Sequence, residues 1–155
     1  MQEACWLSQP FGVLDAGGAE SPVALIDALE VEEHVVLPPL ATIAATPPAI
    51  KRVTFLKRNP GVTEEAFRAW YLGHHTDETK TIPGLGGYVT NLVRREANGG
   101  LGLQAVPMFW FADQAAYATY YDPSRPLMKK VAEGTAPMVT RISMFRVEER
   151  IVKAL

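Results

Sequence analysis

KRVTFLKRNPGVTEEAFRAWYLGHH, residues 51 to 75, contains the change of period that decides the fold. Up to Arg58 the chain alternates, with Val53, Phe55 and Lys57 on one face and Thr54 and Leu56 on the other, the two-residue repeat of a strand. Asn59-Pro60-Gly61 interrupts that repeat with a turn. Beyond it Phe67, Trp70, Tyr71 and His74 recur at spacings of three and four, the apolar stripe of a helix. Thr63 is placed to cap this helix, and Glu64 and Glu65 bring negative charge to its first turn, as the macrodipole favours. Gly73 stands where a cap glycine would end it, leaving the two histidines just past the end.

Downstream the same signals repeat. Pro83-Gly84 turns the chain into a second strand over residues 86–95, and ANGGLG forms a loop. Residues 104–112, QAVPMFWFA, read as a third strand. Asp113 caps a second helix that stops before Pro123. SRPLMKKVAEG adds a short helical piece, and residues 138–152 make a long last strand. The order β-α-β-β-α-β over residues 50–155 is that of a ferredoxin-like α+β domain: a four-stranded antiparallel sheet with both helices on one face. Its other face is left bare, carrying large apolar residues such as Phe55, Met108, Trp110 and Met144. A bare apolar face needs a partner, and two such sheets packed together make a symmetric homodimer.

Upstream, LPPLATIAATPPA (37–49) has two Pro-Pro pairs and no charge, and reads as an extended connector. It joins the domain to an extension, so that residues 1–49 stand apart from the domain. SPVALIDALEVEE (21–33) within it is a helix candidate, with Ser21 as N-cap and Pro22 at the first helical position. Val23, Ile26, Ala28 and Leu29 would give that helix one apolar face, docked as a packing appendage or as a cap over a pocket.

Composition removes several classes of function. In 155 residues, 48% are apolar and 21% charged, which suits one globular domain. Net charge is −2 and no Lys/Arg cluster exceeds three residues, so the electrostatic footprint of nucleic-acid binding is missing. Apolar runs break well short of the roughly 20 residues of a membrane span. The start, MQEACWLSQPFG, has neither the basic nor the apolar region of a secretory signal. Cys5 is the only cysteine, which argues against a disulfide framework and against an oxidising compartment. The expected location is the cytoplasm.

The stretch from Lys51 to Tyr88, and more loosely to Val152, resembles the EthD-like branch of the dimeric α+β barrel superfamily. The resemblance rests on the first strand followed by LKRNPGVTEEAF, on the helix ending in AWYLGHH, and on IPGLGGYV, and it covers roughly two-thirds of the chain. The family's histidine falls eight residues after the helix phenylalanine, here on His75. Pro83, Gly84, Leu85 and Tyr88 match the turn and tyrosine that follow. Two features depart from the pattern: the N-terminal extension, and Asp77 where the family has proline or a small apolar residue. What the resemblance implies is broad: the superfamily includes cofactor-free isomerases, cyclases, dehydratases, decarboxylases and oxygenases of aromatic or lactone-like small molecules, and also accessory proteins with no assigned chemistry.

Three readings of His74 and His75 follow from their residue types. A metal site needs converging ligands, but adjacent helical residues point about 100° apart. The third histidine, His34, lies in the extension, and no H-x-x-x-H or CxxC spacing occurs, so no metal is expected. A histidine at a helix end also meets free carbonyls and the dipole, and His74 packs with the apolar stripe. For His75 the acid–base reading is sharper, because imidazole titrates near 6.5 and both takes and gives protons. Tyr88, thirteen residues on, is expected to bring its hydroxyl near His75 as an oxyanion donor, and Asp77 to orient the ring. Trp70, Tyr71, His74, Trp110 and Tyr121 are candidates to line a substrate pocket. The leading expectation is a cofactor-independent lyase, dehydratase or isomerase of an aromatic or ketide-derived small molecule. The alternatives are a non-catalytic accessory or ligand-binding dimer and a cofactor-free oxygenase of a phenol.

Overall fold

Each expected strand of the domain finds an antiparallel neighbour in the computed structural model, which describes residues 28–39, 50–97 and 101–147. The strands are β1 (Leu29–Leu37), β2 (Ile50–Arg58), β3 (Gly87–Glu96), β4 (Ala105–Phe111) and β5 (Val139–Val147). They form one sheet in the order β1-β3-β4-β2-β5, with every pairing antiparallel. The last four strands have the arrangement expected of a ferredoxin-like fold, and β1 adds a fifth at the β3 edge.

β1 replaces part of a helix read from the sequence. Residues 29–33 of SPVALIDALEVEE are strand, while residues 21–27 lie outside the described part of the chain. Leu29, Val31 and Val35 alternate with Glu30, Glu32 and His34, and pairing settles the choice. Glu32 faces Leu92 across the ladder, makes an ion pair with Arg68 at 2.5 Å and another with Arg94, and Glu30 meets Arg95 at 3.2 Å. Tertiary partners of this kind override a weak local preference. The hydrogen bond from Arg68, helped by the charge of Arg94, holds the Glu32 carboxyl down to about 2.

The helices are α1 (Glu64–Trp70), α2 (Thr76–Thr79), α3 (Gln114–Tyr120) and α4 (Pro126–Thr135), with a wide π turn over Tyr71–His75 joining the first two. Both expected caps form: Thr63 Oγ1 accepts from the Ala66 amide at 3.1 Å and Asp113 Oδ1 from the Ala116 amide at 2.8 Å. Gly73 does not end the helix. It sits inside the π turn, and the chain stays helical to Thr79. Gly84 is the glycine the fold requires, since its φ is +94° and a Cβ there would lie 2.3 Å from the Ala116 carbonyl oxygen.

Alternation along β2 sends Ile50, Arg52, Thr54 and Leu56 to the helix side, where they are buried. The core on that side is built on Tyr88, Phe109, Phe111 and Tyr120, and further along on Leu56, Phe67, Tyr71 and Leu92. Phe55, Met108 and Trp110 point to the other face, an orientation that alternation alone leaves open. Met144 does not. It stands opposite Thr54, on the helix side of an edge strand, and is 41% exposed. No helix of the described residues is long and apolar enough to cross a membrane.

Candidate active site

The π turn places the histidines, and it exchanges their expected roles. In a regular α-helix His74 would lie on the stripe of Trp70 and Tyr71. The Thr76 amide instead reaches back five residues to the Tyr71 carbonyl, and the wide turn carries His75 onto the stripe. The His75 ring lies 4.8 Å from that of Trp70 and 5.2 Å from that of Tyr71, the second nearly parallel at 23°. His74 is turned outward, exposed, with Nε2 3.4 Å from Glu78.

Thr135, at the end of α4, fixes the His75 tautomer. Its hydroxyl donates to the Val131 carbonyl at 2.6 Å, so its single proton is committed. The contact of 3.3 Å between Thr135 Oγ1 and His75 Nδ1 therefore has the ring as donor. Nδ1 carries the proton and Nε2 keeps its lone pair. Burial lowers the ring's pKa to about 4, with the nearby Glu78 only partly opposing it, so the imidazole is neutral at pH 7.

The expected partners of His75 are arranged differently. Asp77 is exposed and pairs with Lys80 at 2.6 Å instead of orienting the ring, because a side chain two residues on points away round the helix. Tyr88 does not face His75 directly. Its hydroxyl donates to Tyr71 Oη at 3.4 Å, and Tyr71 in turn contacts Thr90 Oγ1 at 2.9 Å, all three side chains being fully buried. Tyr71 thus stands between them, with its ring against His75 and its hydroxyl against Tyr88. Burial pushes the Tyr71 phenol up to about 12 and the Tyr88 phenol well above 10, so both stay protonated.

The other pocket candidates divide between the two faces of the sheet. Trp70 and Tyr71 frame His75, and Tyr121 lies on the helix side against Phe111 and Tyr117. Trp110 is on the far face with Lys51 over its ring at 4.7 Å, away from His75. A shallow open depression of about 420 Å³, lined by Glu65, Arg68, Ala69, Leu72 and Gly73, runs along the outer side of the helix and does not include His75. Among the described residues no three His, Cys, Asp or Glu side chains cluster to hold a metal.

Two residues of this layer escaped the sequence. Thr135 gave no signal, since its role depends on how α4 packs. Arg52 did give one: it shares the parity of Thr54 and Leu56, a cation on the apolar face of a strand. Its guanidinium lies 4.6 Å from the rings of both Phe109 and Tyr121.

Comparison with known proteins bears on the fold. No family model and no curated protein matches the chain. Solved structures do: an EthD family protein of Bacillus halodurans, at 16% identity and TM-score 0.52, is covered over 99% of its length by 66% of this chain. HapK of Hahella chejuensis is similar at 12% identity and TM-score 0.54, with 68% of this chain on 97% of that one. A protein of Arabidopsis thaliana matches at 14% identity and TM-score 0.51, over 68% and 98% of the two chains. The chain shares with these proteins a ferredoxin-like α+β fold. The resemblance read from its sequence is to an EthD-like protein, and one such protein is among those sharing this fold.

Proposed function

We propose that the chain is a cofactor-independent lyase, dehydratase or isomerase that moves a proton through His75 on an aromatic or ketide-derived small molecule. The observation that carries this reading is the committed Thr135 hydroxyl, which leaves His75 Nε2 as a bare acceptor in a neutral ring. Nε2 takes a proton from a carbon next to a carbonyl, and the electron pair of the broken C–H bond moves onto the carbonyl oxygen. The imidazolium then returns its proton to another carbon, giving an isomer, or to a departing hydroxyl, giving water and an alkene. Burial weakens the ring as a base and strengthens its conjugate acid by the same amount, which favours the second step.

In this reading Tyr71 and Tyr88 are positioning residues. Their phenols remain neutral donors in a chain that ends on Thr90, and the Tyr71 ring fixes the plane of the imidazole. The homodimer through the far face of the sheet belongs to the same proposal. The experiment is a turnover screen against aromatic and ketide-type carbonyl compounds, wild type beside His75→Ala. A general acid–base residue contributes roughly 10²–10⁴-fold in rate, and a loss of that order is expected. A His75→Ala protein turning over at the full rate would end the proposal.

A further inference from the structure

Arg52 is 7% exposed, yet among the described residues it makes no ion pair and no hydrogen bond. A buried cation is costly unless something offsets its lost hydration, and buried arginines are normally paired with a carboxylate. Phe109 and Tyr121 lie 4.6 Å from the guanidinium, an arrangement that steadies the cation but accepts none of its N–H bonds. Arg52 Nε is buried without a partner, and so are two hydroxyls of the same layer, Thr54 Oγ1 and Tyr121 Oη. Thr54 is two residues along the same strand face, and the ring of Tyr121 is against Arg52. Three unsatisfied polar groups therefore gather where buried polar atoms are ordinarily paired.

The field around them is positive. Arg141 acts on Arg52 with like charge, and Arg146 stands opposite it across the β2–β5 ladder, bonded to Gln114 and not to an acid. Burial pushes the phenols of Tyr88 and Tyr120 nearby upward, so they bring no negative charge at neutral pH. The group that completes such a site is a small planar anion, two oxygens wide, which meets a guanidinium edge in two parallel hydrogen bonds.

We propose that Arg52, with Thr54 and Tyr121, is a binding site for the carboxylate of a small aromatic acid. A chain of ring contacts connects it to the proton-transfer end of the same layer: Arg52 lies over Phe109, Phe109 stacks on Tyr88 at 4.6 Å, and Tyr88 reaches Tyr71 beside His75. Those rings are packed together and buried, so the carboxylate site is separate from the proton-transfer end and its occupancy does not depend on the His75 reading.

The test uses the full chain and needs no turnover, so failure of the His75 chemistry would leave its result intact. Salicylate, its neutral analogue salicylamide and inorganic phosphate are titrated by calorimetry and by thermal midpoint against wild type, Arg52→Met and Arg52→Lys. Salicylate should bind wild type at least about tenfold more tightly than salicylamide or phosphate, the scale of a charge-assisted hydrogen bond. Arg52→Met keeps the stem and removes the charge; it should lose that preference while melting at or above the wild-type midpoint, because no ion pair is broken. Arg52→Lys should keep part of the preference. Equal binding of salicylate and salicylamide, phosphate binding as tight as salicylate, or a preference surviving in Arg52→Met would overturn the assignment. So would Arg52→Met unfolding while Arg52→Lys folds and binds salicylate no better than salicylamide, since the cation would then be needed for packing alone.

Discussion

Replacing His75 with glutamine should flatten the acid side of the stability profile, by an amount the structure supplies. The folded ring titrates near 4 because burial disfavours its charged form, while the unfolded chain's histidine titrates near 6.5. A depressed histidine pKa means that the unfolded state binds protons first as pH falls. Stability is therefore full above about 6.5, declines between 6.5 and 4, and levels off below. At pH 5 the unfolded state gains a protonation factor of roughly 30 over the folded one, and RT ln 30 is about 2 kcal/mol. Urea denaturation of both proteins at pH 7 and pH 5 isolates this effect, because His34, His74 and the carboxylates are common to both. Wild type should lose about 2 kcal/mol more than His75→Gln over that interval. Equal losses, within about 0.5 kcal/mol, would show that His75 is not a neutral imidazole shielded by Trp70 and Tyr71.

Two glycines should respond with opposite signs. Gly84→Ala forces φ +94° on a side chain and drives its Cβ into the Ala116 carbonyl, so a loss of roughly 3 kcal/mol is expected in chemical denaturation. Gly73→Ala meets nothing within 4 Å in a helical turn and should gain about 0.5–1 kcal/mol; a loss there would restore Gly73 as a helix cap. Glu32→Gln weakens the ion pairs that tie β1 to α1 and β3, at about 1 kcal/mol near neutral pH. Because the Glu32 carboxyl is depressed in the folded state, that difference should persist above about 4.5 and vanish as pH falls towards 2. A difference unchanged at pH 2 would contradict the ion-pair origin.

The residues that declared themselves in the sequence were those whose environment is local. The alternation of residues 51–58, the cap at Thr63, the cap at Asp113 and the turn at Gly84 depend on neighbours a few positions away, and the structure has each of them. The misreadings came from features set at a distance. LEVEE follows a helical period as comfortably as a strand period until Arg94, Arg95 and Arg68 are placed beside its acids. Gly73 looked like a helix end because a glycine after an apolar stripe usually is one, and a π turn has no short-range signature. That same turn moved His75 onto the aromatic stripe and His74 off it. Tyr88 was sought opposite His75, but the spacing of thirteen residues is silent about Tyr71, which fills the gap. Alternation leaves open which face Met144 takes, because along an edge strand it does not show where the ladder slips. One such irregularity falls between Phe55 and Leu56, opposite Ser143 and Arg141.

The measurement that bears most directly on the proton-transfer site is a long-range ¹H–¹⁵N correlation spectrum of the histidine rings in labelled protein, followed from pH 7 to pH 5. His75 should appear as a neutral ring with its proton on Nδ1 and a bare Nε2, unchanged across that range, and Thr135→Val should release the ring from that tautomer. A ring protonated on Nε2 at pH 7, or an imidazolium already present at pH 6, would contradict it.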